Sequence, residues 1–359
     1  MKLTIQVQLL PDAAQKAVIL STMERFNEAA TFAAKAGFEA KVFSQPSIHK
    51  IAYREIREQF GLSAQMAVRA IGKAVECFKR DKTKCPAFKP HGAVTYDERI
   101  LGFKGLDRVS LWTMTGRMVL PLVYGEYQAE RFDRIKGQCD LIYRGGKFFL
   151  YATIDLPDQP PVEVKDFLGV DLGIVNIATD STGTKDGGEK LDRKRKQRAT
   201  ARKQYQRKGT KGAKKRLKAM AGRQHRFQTQ INHEISKRIV AKAKTLGVGI
   251  AIEDLDGIRD RVEPTVRKRF RRRFGNWSFS QLRLFLEYKA RREGIPIVTV
   301  DPRNTSRTCS ICGHCERTNR PDQATFRCKH CNHSEHADVN AARNIRAWAV
   351  RSAASKLVG

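Results

Sequence analysis

Two C-x-x-C pairs, Cys309/Cys312 and Cys328/Cys331, stand fifteen residues apart near the end of a 359-residue chain. At that spacing two short knuckles can arrange four thiolates tetrahedrally around one Zn²⁺. Four protein ligands leave no open coordination position, so the expected ion is structural. Gly313 and Asn332 follow the two pairs, and both residue types tolerate the left-handed backbone that turns knuckle amides toward the sulfurs. Cys315, followed by Glu316, reads as a free thiol.

Three carboxylates suggest a second chemistry. Asp171 lies within DFLGVDLGIVNIATD (residues 166–180), between Val170 and Leu172; Glu253 ends the apolar run of VGIAIEDLDGI, with Asp254 and Asp256 beyond it; Asp338 follows His336, where VNAARNIRAWAV begins. Singly, each has an ordinary explanation, a helix cap or dipole partner for Asp338 and a salt bridge for the others. An ionised carboxylate in an apolar strand is nevertheless costly unless it is paired or metal-bound. Mg²⁺ takes oxygen ligands and keeps waters, so a few carboxylates plus a substrate phosphate suffice to hold it. Two Mg²⁺ roughly 3.5–4 Å apart could activate a water and stabilise a departing 3′ oxygen, with no side-chain nucleophile.

Such a pocket needs particular elements around it. The segments at Asp171 and Glu253 read as buried strands, with Gly169 and Gly173 allowing another chain or a ligand to come close. By alternation Glu253 faces with Ala251 and Leu255, opposite Ile250 and Ile252. After Asp338, the residues Val339, Ala342, Ile345 and Ala349 recur at helical spacing. Two adjacent strands and a last helix crossing their ends would bring Asp171, Glu253 and Asp338 together, in the order expected of an RNase H-like nuclease.

The first half has a different texture. MKLTIQVQLL alternates as a strand, and Asp12 with Gln15 forms a capping box for a helix carrying Val18, Leu20, Met23, Phe26 and Ala30 through Ala34. A second helix begins at Pro46 and Ser47 and closes at Gly61; a third starts at Ser63 and carries Ala67, Ile71, Ala74 and Phe78. Lys50, Arg54, Arg57, Arg69, Lys73 and Arg80 of this helical module read as exposed helix surface or a nucleic-acid face. From Pro86, short strands follow, ending in a hairpin at Gly145-Gly146. Closing them with the first strand would make a small barrel interrupted by the helices. Prolines 157, 160 and 161 mark a linker.

The formal net charge is +32, from 69 Lys and Arg against 37 Asp and Glu. Self-repulsion on this scale points to a polyanionic partner, RNA or DNA. No run of eighteen apolar residues or signal-peptide pattern occurs, and zinc explains the cysteines better than disulfides, which places the chain in the cytoplasm. The densest basic run, residues 190–227, has Asp192 as its one acid. It reads as a helical hairpin with a tip near Gly209 and Gly212, presenting Arg193, Lys194, Arg195, Arg198, Arg202, Lys203, Arg207, Lys214, Lys215, Arg216 and Lys218 to phosphates. A second run offers Arg267, Arg271, Arg272 and Arg273 among Phe270, Phe274 and Trp277, which could stack on bases, while Phe279, Leu282 and Leu286 read as core.

The strings GVDLG, AIEDL, NWSFSQLRLFLEYKARREGIPIVTVDPRNTSRTCSICG and HADVNAARNI resemble those of the TnpB (OrfB) family, the RNA-guided nucleases of insertion sequences related to type V CRISPR effectors. The motifs cover about half the chain, from Asp166 to Ile345; the first half matches only in texture. The resemblance implies a multidomain α+β protein: a wedge β-barrel (residues 1–10 and 86–160), an inserted helical recognition module (11–85), a RuvC-like RNase H-fold nuclease (161–303 and 334–359) and an inserted zinc ribbon that binds target nucleic acid (304–333). It also implies a catalytic triad of Asp171, Glu253 and Asp338 on Mg²⁺, one structural zinc on Cys309, Cys312, Cys328 and Cys331, and guide RNA and target double-stranded DNA as partners. The chain ends soon after Asp338, so a guide contact made by a long basic tail is not expected. The implied function is a transposon-encoded RNA-guided DNA endonuclease reading a short target-adjacent motif. Alternatives are a small type V CRISPR effector, a guide-dependent repressor that does not cut, and a transposase.

Overall fold

A computed structural model describes residues 2–255 and 279–358. The chain divides into two compact units, residues 1–157 and 158–359.

The first unit opens with β1 (Lys2–Leu9), whose Ile5, Val7 and Leu9 point into its core. Three helices follow: α1 (Ala13–Glu39), α2 (Gln45–Phe60) and α3 (Ala64–Arg80). Each start is fixed by a side chain: the Asp12/Gln15 capping box, Ser44 and Ser63. These caps satisfy amides that the helix itself leaves unpaired. Gly61, at φ 64°, ends α2 in the left-handed region. In α1 the inward stripe runs through Ile19, Met23, Phe26 and Ala30, so Val18 and Leu20 flank it rather than define it.

The remaining elements of this unit are β2 (Val94–Tyr96), β3 (Leu101–Lys104), β4 (Arg108–Thr113), β5 (Gly116–Val123), the one-turn α4 (Glu126–Ala129), β6 (Ile135–Arg144) and β7 (Lys147–Asp155). The sheet order is β2-β6-β7-β1-β5-β4-β3. Its edge strands β2 and β3 are consecutive in the chain, joined by a turn in which Ile100 and Leu101 both donate to the Asp97 carbonyl. The sheet thus curls into a nearly closed barrel, which removes most of its unpaired edge. The β6–β7 hairpin turns at Gly145 and Gly146, both at positive φ (61° and 83°), as a two-residue turn between twisted strands demands.

The second unit is built on a sheet ordered β10-β9-β8-β11-β12. These strands are β8 (Phe167–Asp171), β9 (Asn176–Asp180), β10 (Lys185–Gly187), β11 (Gly249–Glu253) and β12 (Ile297–Val300). β8, β11 and β12 run parallel, while β9 is antiparallel to its neighbours. Both faces of the parallel core are covered, so its strands are apolar throughout rather than alternating. On one face Leu168, Val170, Ile250 and Ile252 pack against α6 (Lys211–Leu246) and α7 (Phe279–Arg292) through Ile235, Ile239, Leu282 and Leu286. On the other, Phe167, Ala251 and Val300 meet Ile345 and Ala349 of α8 (Ala337–Val358). Leu255 joins the α6–α7 face instead of Ala251's, because the strand ends at Glu253 and alternation ends with it.

Gly169 explains how closely α8 approaches. A Cβ at that position would lie 2.0 Å from the Ala342 carbonyl oxygen and 2.6 Å from the Arg346 amide nitrogen. Only glycine lets the helix backbone rest on β8. Gly173 serves its own turn, since a Cβ there would meet the Asn176 carbonyl oxygen at 2.6 Å. Between β10 and β11, α5 (Glu189–Lys208) turns at Gly209 (φ 63°) and Thr210 caps α6. A two-stranded ribbon, β13 (Thr325–Arg327) with β14 (Ser334–His336), precedes α8. Among the described residues no helix is long and apolar enough to cross a membrane.

Candidate functional site

β8 and β11 pair in register through Ile252 opposite Val170, so Glu253 and Asp171 stand one step further, at neighbouring strand ends. Asp171 lies two residues beyond Gly169 and Glu253 two beyond Ala251, both positions that face α8, and strand alternation keeps them on that face. Asp338 occupies the first turn of α8, where the helix dipole favours an anion. The fold therefore brings the three acids to one place. Glu253 and Asp338 are 8% and 7% exposed, and Asp171 is half-buried.

Electrostatics records their proximity. Burial pushes the Asp171 carboxyl well above its ordinary 3.8, and the charges of Glu253 and Asp338 push it further. Burial also raises Glu253, against the opposing pull of the Thr305 hydroxyl and the Arg320 guanidinium. Like charges gathered in a poorly solvated pocket resist ionisation unless a cation joins them. One cation is already present: Arg320, from the segment between the two cysteine pairs, donates to Asp338 Oδ1 at 3.2 Å. Asn176, at the start of β9, donates to Asp338 Oδ2 at 2.8 Å. Both oxygens of Asp338 are thereby oriented. Thr305 donates to Glu253 Oε1.

Asn176, Thr305 and Arg320 escaped the sequence reading. Asn176 follows a glycine turn after the first acid strand, and Arg320 precedes a proline inside the ribbon; neither position has a spacing that marks it.

The four cysteines form the group, among the described residues, whose ligand atoms all lie within 4.8 Å of one another. The three acids share Arg320 instead, which donates to Asp338 and whose charge acts on Asp171 and Glu253. Cys309 Sγ is 3.7 Å from Cys331 Sγ, and Cys312 Sγ is 3.6 Å from Cys328 Sγ. A tetrahedron with zinc–sulfur arms of about 2.3 Å has edges of about 3.8 Å, so the donor set fits Zn²⁺. The knuckles repeat one design. Gly313 and Asn332, at φ 75° and 60°, donate from their amides to the Cys309 and Cys328 carbonyls, and the Cys309 and Cys328 amides donate to the carbonyls of His314 and His333. Burial acts to raise the Cys328 thiol, but hydrogen bonds from the Cys331 and His330 amides outweigh it and draw the group down to about 6, while the neighbouring sulfurs hold Cys331 up at about 12, the split expected of crowded thiols that share protons. Cys315 is exposed and outside the cluster; its backbone bridges Thr308. Asn319 is wholly buried between the knuckles, donating to the Arg307 and His314 carbonyls and accepting from the Lys329 amide. Its neighbour Arg320 is carried to the acids by that lock.

In the basic hairpin, Arg193, Lys194, Arg202, Lys203, Arg207, Lys214, Lys215, Arg216 and Lys218 are exposed. Arg195 and Arg198 are half-buried and turned inward: Arg195 donates to Gln228 Oε1 at 2.9 Å, and Arg198 lies over the Phe227 ring. Those two pin α5 to α6. The run containing Arg267, Phe270, Arg271, Arg272, Arg273, Phe274 and Trp277 lies outside the described residues.

Residues 151–257 match the OrfB_IS605 family model, described as a probable transposase, and residues 279–345 match the Cas12f1-like TNB domain. The CRISPR-associated endodeoxyribonuclease Cas12f1 of Sulfoacidibacillus thermotolerans is 32% identical over 62% of this chain and 54% of its own. A TnpB-like protein of Methanocaldococcus jannaschii is 36% identical over 36% of this chain and 45% of its own. The putative RNA-guided DNA endonuclease InsQ of Escherichia coli K12 is 26% identical over 79% and 73%. The chain spans about half the length of the Cas12f1 and TnpB-like relatives. In fold it resembles a Cas12f1 solved with sgRNA and target DNA, with a TM-score of 0.68 at 16% identity over 93% of this chain and 83% of that one.

Proposed function

We propose that the chain is a TnpB-related protein, kin to the type V effectors, and that it acts as a transposon-encoded RNA-guided DNA endonuclease. In this reading it binds a guide RNA, recognises a short target-adjacent motif and hydrolyses DNA phosphodiesters. The barrel of the first unit is its wedge and the helices α1 to α3 its recognition module. The sheet of the second unit is a RuvC-like nuclease core, with the cysteine ribbon inserted before α8. The observation that carries the proposal is the meeting of Asp171, Glu253 and Asp338, from three distant segments, around a single guanidinium.

Asp171, Glu253 and Asp338 would hold Mg²⁺; three carboxylates against one arginine leave an excess of negative charge for a divalent cation to neutralise. When bound, the metal supplies an activated water and charge stabilisation for the departing 3′ oxygen. Asn176 and Arg320 keep both oxygens of Asp338 oriented. The cysteine cluster would hold zinc as a structural ion, fixing the ribbon from which Arg320 projects. The exposed cations of α5 and α6 would track the phosphates of the guide or the guide–target duplex, leaving sequence discrimination to base pairing. A small type V effector with a repeat-derived guide is favoured by the Cas12f1-like match over residues 279–345; it would use the same pocket.

The test is plasmid cleavage with the copurifying guide RNA and Mg²⁺. Asp171→Ala should abolish cutting while guide and target binding persist. Cutting by that variant would overturn the assignment of the pocket.

A further inference from the structure

The loop that enters the first cysteine knuckle does more than lead into it. Thr305 is 3% exposed, and its hydroxyl donates to Glu253 Oε1. The Thr305 hydroxyl oxygen also lies 3.1 Å from the Pro302 carbonyl. A hydroxyl has one proton to give, and a carboxylate is the stronger acceptor. Thr305 thus holds one oxygen of Glu253, and the other accepts no hydrogen bond among the described residues.

The backbone carrying that hydroxyl is itself held. The Thr305 carbonyl accepts from Asn344 Nδ2 at 2.8 Å, and the same amide reaches the Thr308 carbonyl at 2.7 Å. Asn340, one turn earlier on α8 and wholly buried, donates to the Thr308 carbonyl at 2.8 Å and accepts from the Ser310 amide at 3.0 Å. Ser310 follows Cys309. The loop begins at Asn304, a non-glycine residue at φ 62° whose carbonyl accepts from the amides of Arg307 and Thr308. An unbroken series of hydrogen bonds therefore runs from the knuckle through Asn340, Thr308, Asn344 and Thr305 to Glu253. Buried asparagines in a helix are costly unless fully bonded, and these two spend their bonds on this loop.

We infer that Thr305 is a positioning residue for Glu253, and that the cysteine knuckle sets the orientation of that carboxylate through Asn340 and Asn344. The inference rests on the reading of Asp171, Glu253 and Asp338 as the divalent-cation pocket. It gives the ribbon a part in the geometry of the acids that is separate from any contact with nucleic acid. A hydrogen-bonding partner behind a metal-binding group typically contributes about 10–100-fold in metal affinity or activity.

The test compares Thr305→Val, which keeps the shape and loses the hydroxyl, with Thr305→Ser, which keeps the hydroxyl. Each is prepared as the full chain with its guide RNA, and zinc content, guide affinity, Mn²⁺ affinity by electron paramagnetic resonance, and cleavage against Mg²⁺ concentration are measured. Thr305→Val should retain one zinc and its guide, bind Mn²⁺ about 10–100-fold more weakly and need correspondingly more Mg²⁺; Thr305→Ser should restore most of both. Unchanged Mn²⁺ affinity in Thr305→Val would overturn the inference, and so would a Thr305→Ser variant as impaired as the valine, which would reduce the site to packing. Asp171→Ala run alongside separates the two levels. If it too binds Mn²⁺ and cuts normally, the pocket reading has failed; if it alone is impaired, only the role of Thr305 has.

Discussion

Replacing Gly169 with alanine tests whether the approach of α8 to β8 creates the pocket. The added Cβ would lie 2.0 Å from the Ala342 carbonyl oxygen and 2.6 Å from the Arg346 amide nitrogen, whereas ordinary contact begins at 3.4 Å. Both clashing atoms belong to helix backbone, so no side chain can rotate away. Relief requires the helix to move by 1.4 Å at Ala342 (3.4 minus 2.0) and 0.8 Å at Arg346 (3.4 minus 2.6). Asp338 lies one turn from Ala342 and must follow, while Asp171 stays with its strand. Arg346 also donates to Asp166 Oδ1 at 2.9 Å, a clamp that the shift would strain. Overpacking of this kind costs about 1–3 kcal/mol; at about 2–4 °C per kcal/mol for a unit of this size, melting should fall by on the order of 2–12 °C. A misplacement of about 1 Å among reacting groups can cost about 10²-fold in rate. The assay is cleavage rate and thermal melting of the guide-loaded protein, with Gly187→Ala as control, since a Cβ at Gly187 meets nothing within 4 Å. Wild-type cutting and melting in Gly169→Ala would refute the claim that this contact places Asp338.

Cys309→Ser or Cys328→Ser should release the zinc and lower ribbon stability, as read by elemental analysis and melting; a native protein without zinc would defeat the tetrathiolate assignment. The raised carboxyl of Asp171 predicts a sign for pH dependence: the metal-free folded state holds a proton that the unfolded state releases near 3.8, so this group's contribution to stability falls as pH rises from there through its folded value. Asp171→Asn should flatten that fall in a comparison of melting curves, and an unchanged slope would count against the crowding of the acids. Replacing Arg202, Lys203 and Arg207 with glutamine should lower the salt dependence of guide binding by about 0.7–0.9 per lost phosphate contact, whereas Arg195→Gln should loosen the α5–α6 hairpin instead; no change in slope from the exposed set would make that hairpin a tether.

Local signals were strong where chemistry depends on neighbours in the chain. The capping box at Asp12, the glycine turn at residues 145–146 and the left-handed residues after each cysteine pair were legible because caps, hairpins and knuckles are short-range structures. The alternation at Glu253 predicted its face correctly for Ala251 and failed for Leu255, where the strand had ended and backbone periodicity no longer applied. In α1, Met23, Phe26 and Ala30 fell on the inward stripe as expected, but Ile19 begins it in place of Val18 and Leu20, because an alanine-rich helix offers several apolar phases and only its packing partners choose among them.

By itself, the order of residues determined that four thiols would face one another and that three acids had a reason to, since metal-ligand spacing and the cost of a carboxylate in an apolar strand are both properties of short segments. Tertiary structure alone decided what surrounds those acids. Asn176, Thr305 and Arg320 come from a turn, a loop and a ribbon that share no spacing with Asp171, Glu253 or Asp338, and their side chains reach the pocket only because α8 lies against Gly169 and Asn319 locks the two knuckles together. Hydrogen bonds between segments more than a hundred residues apart, such as Asn176 to Asp338, carry no periodic trace in the chain; they exist once the sheet and helix have closed around them.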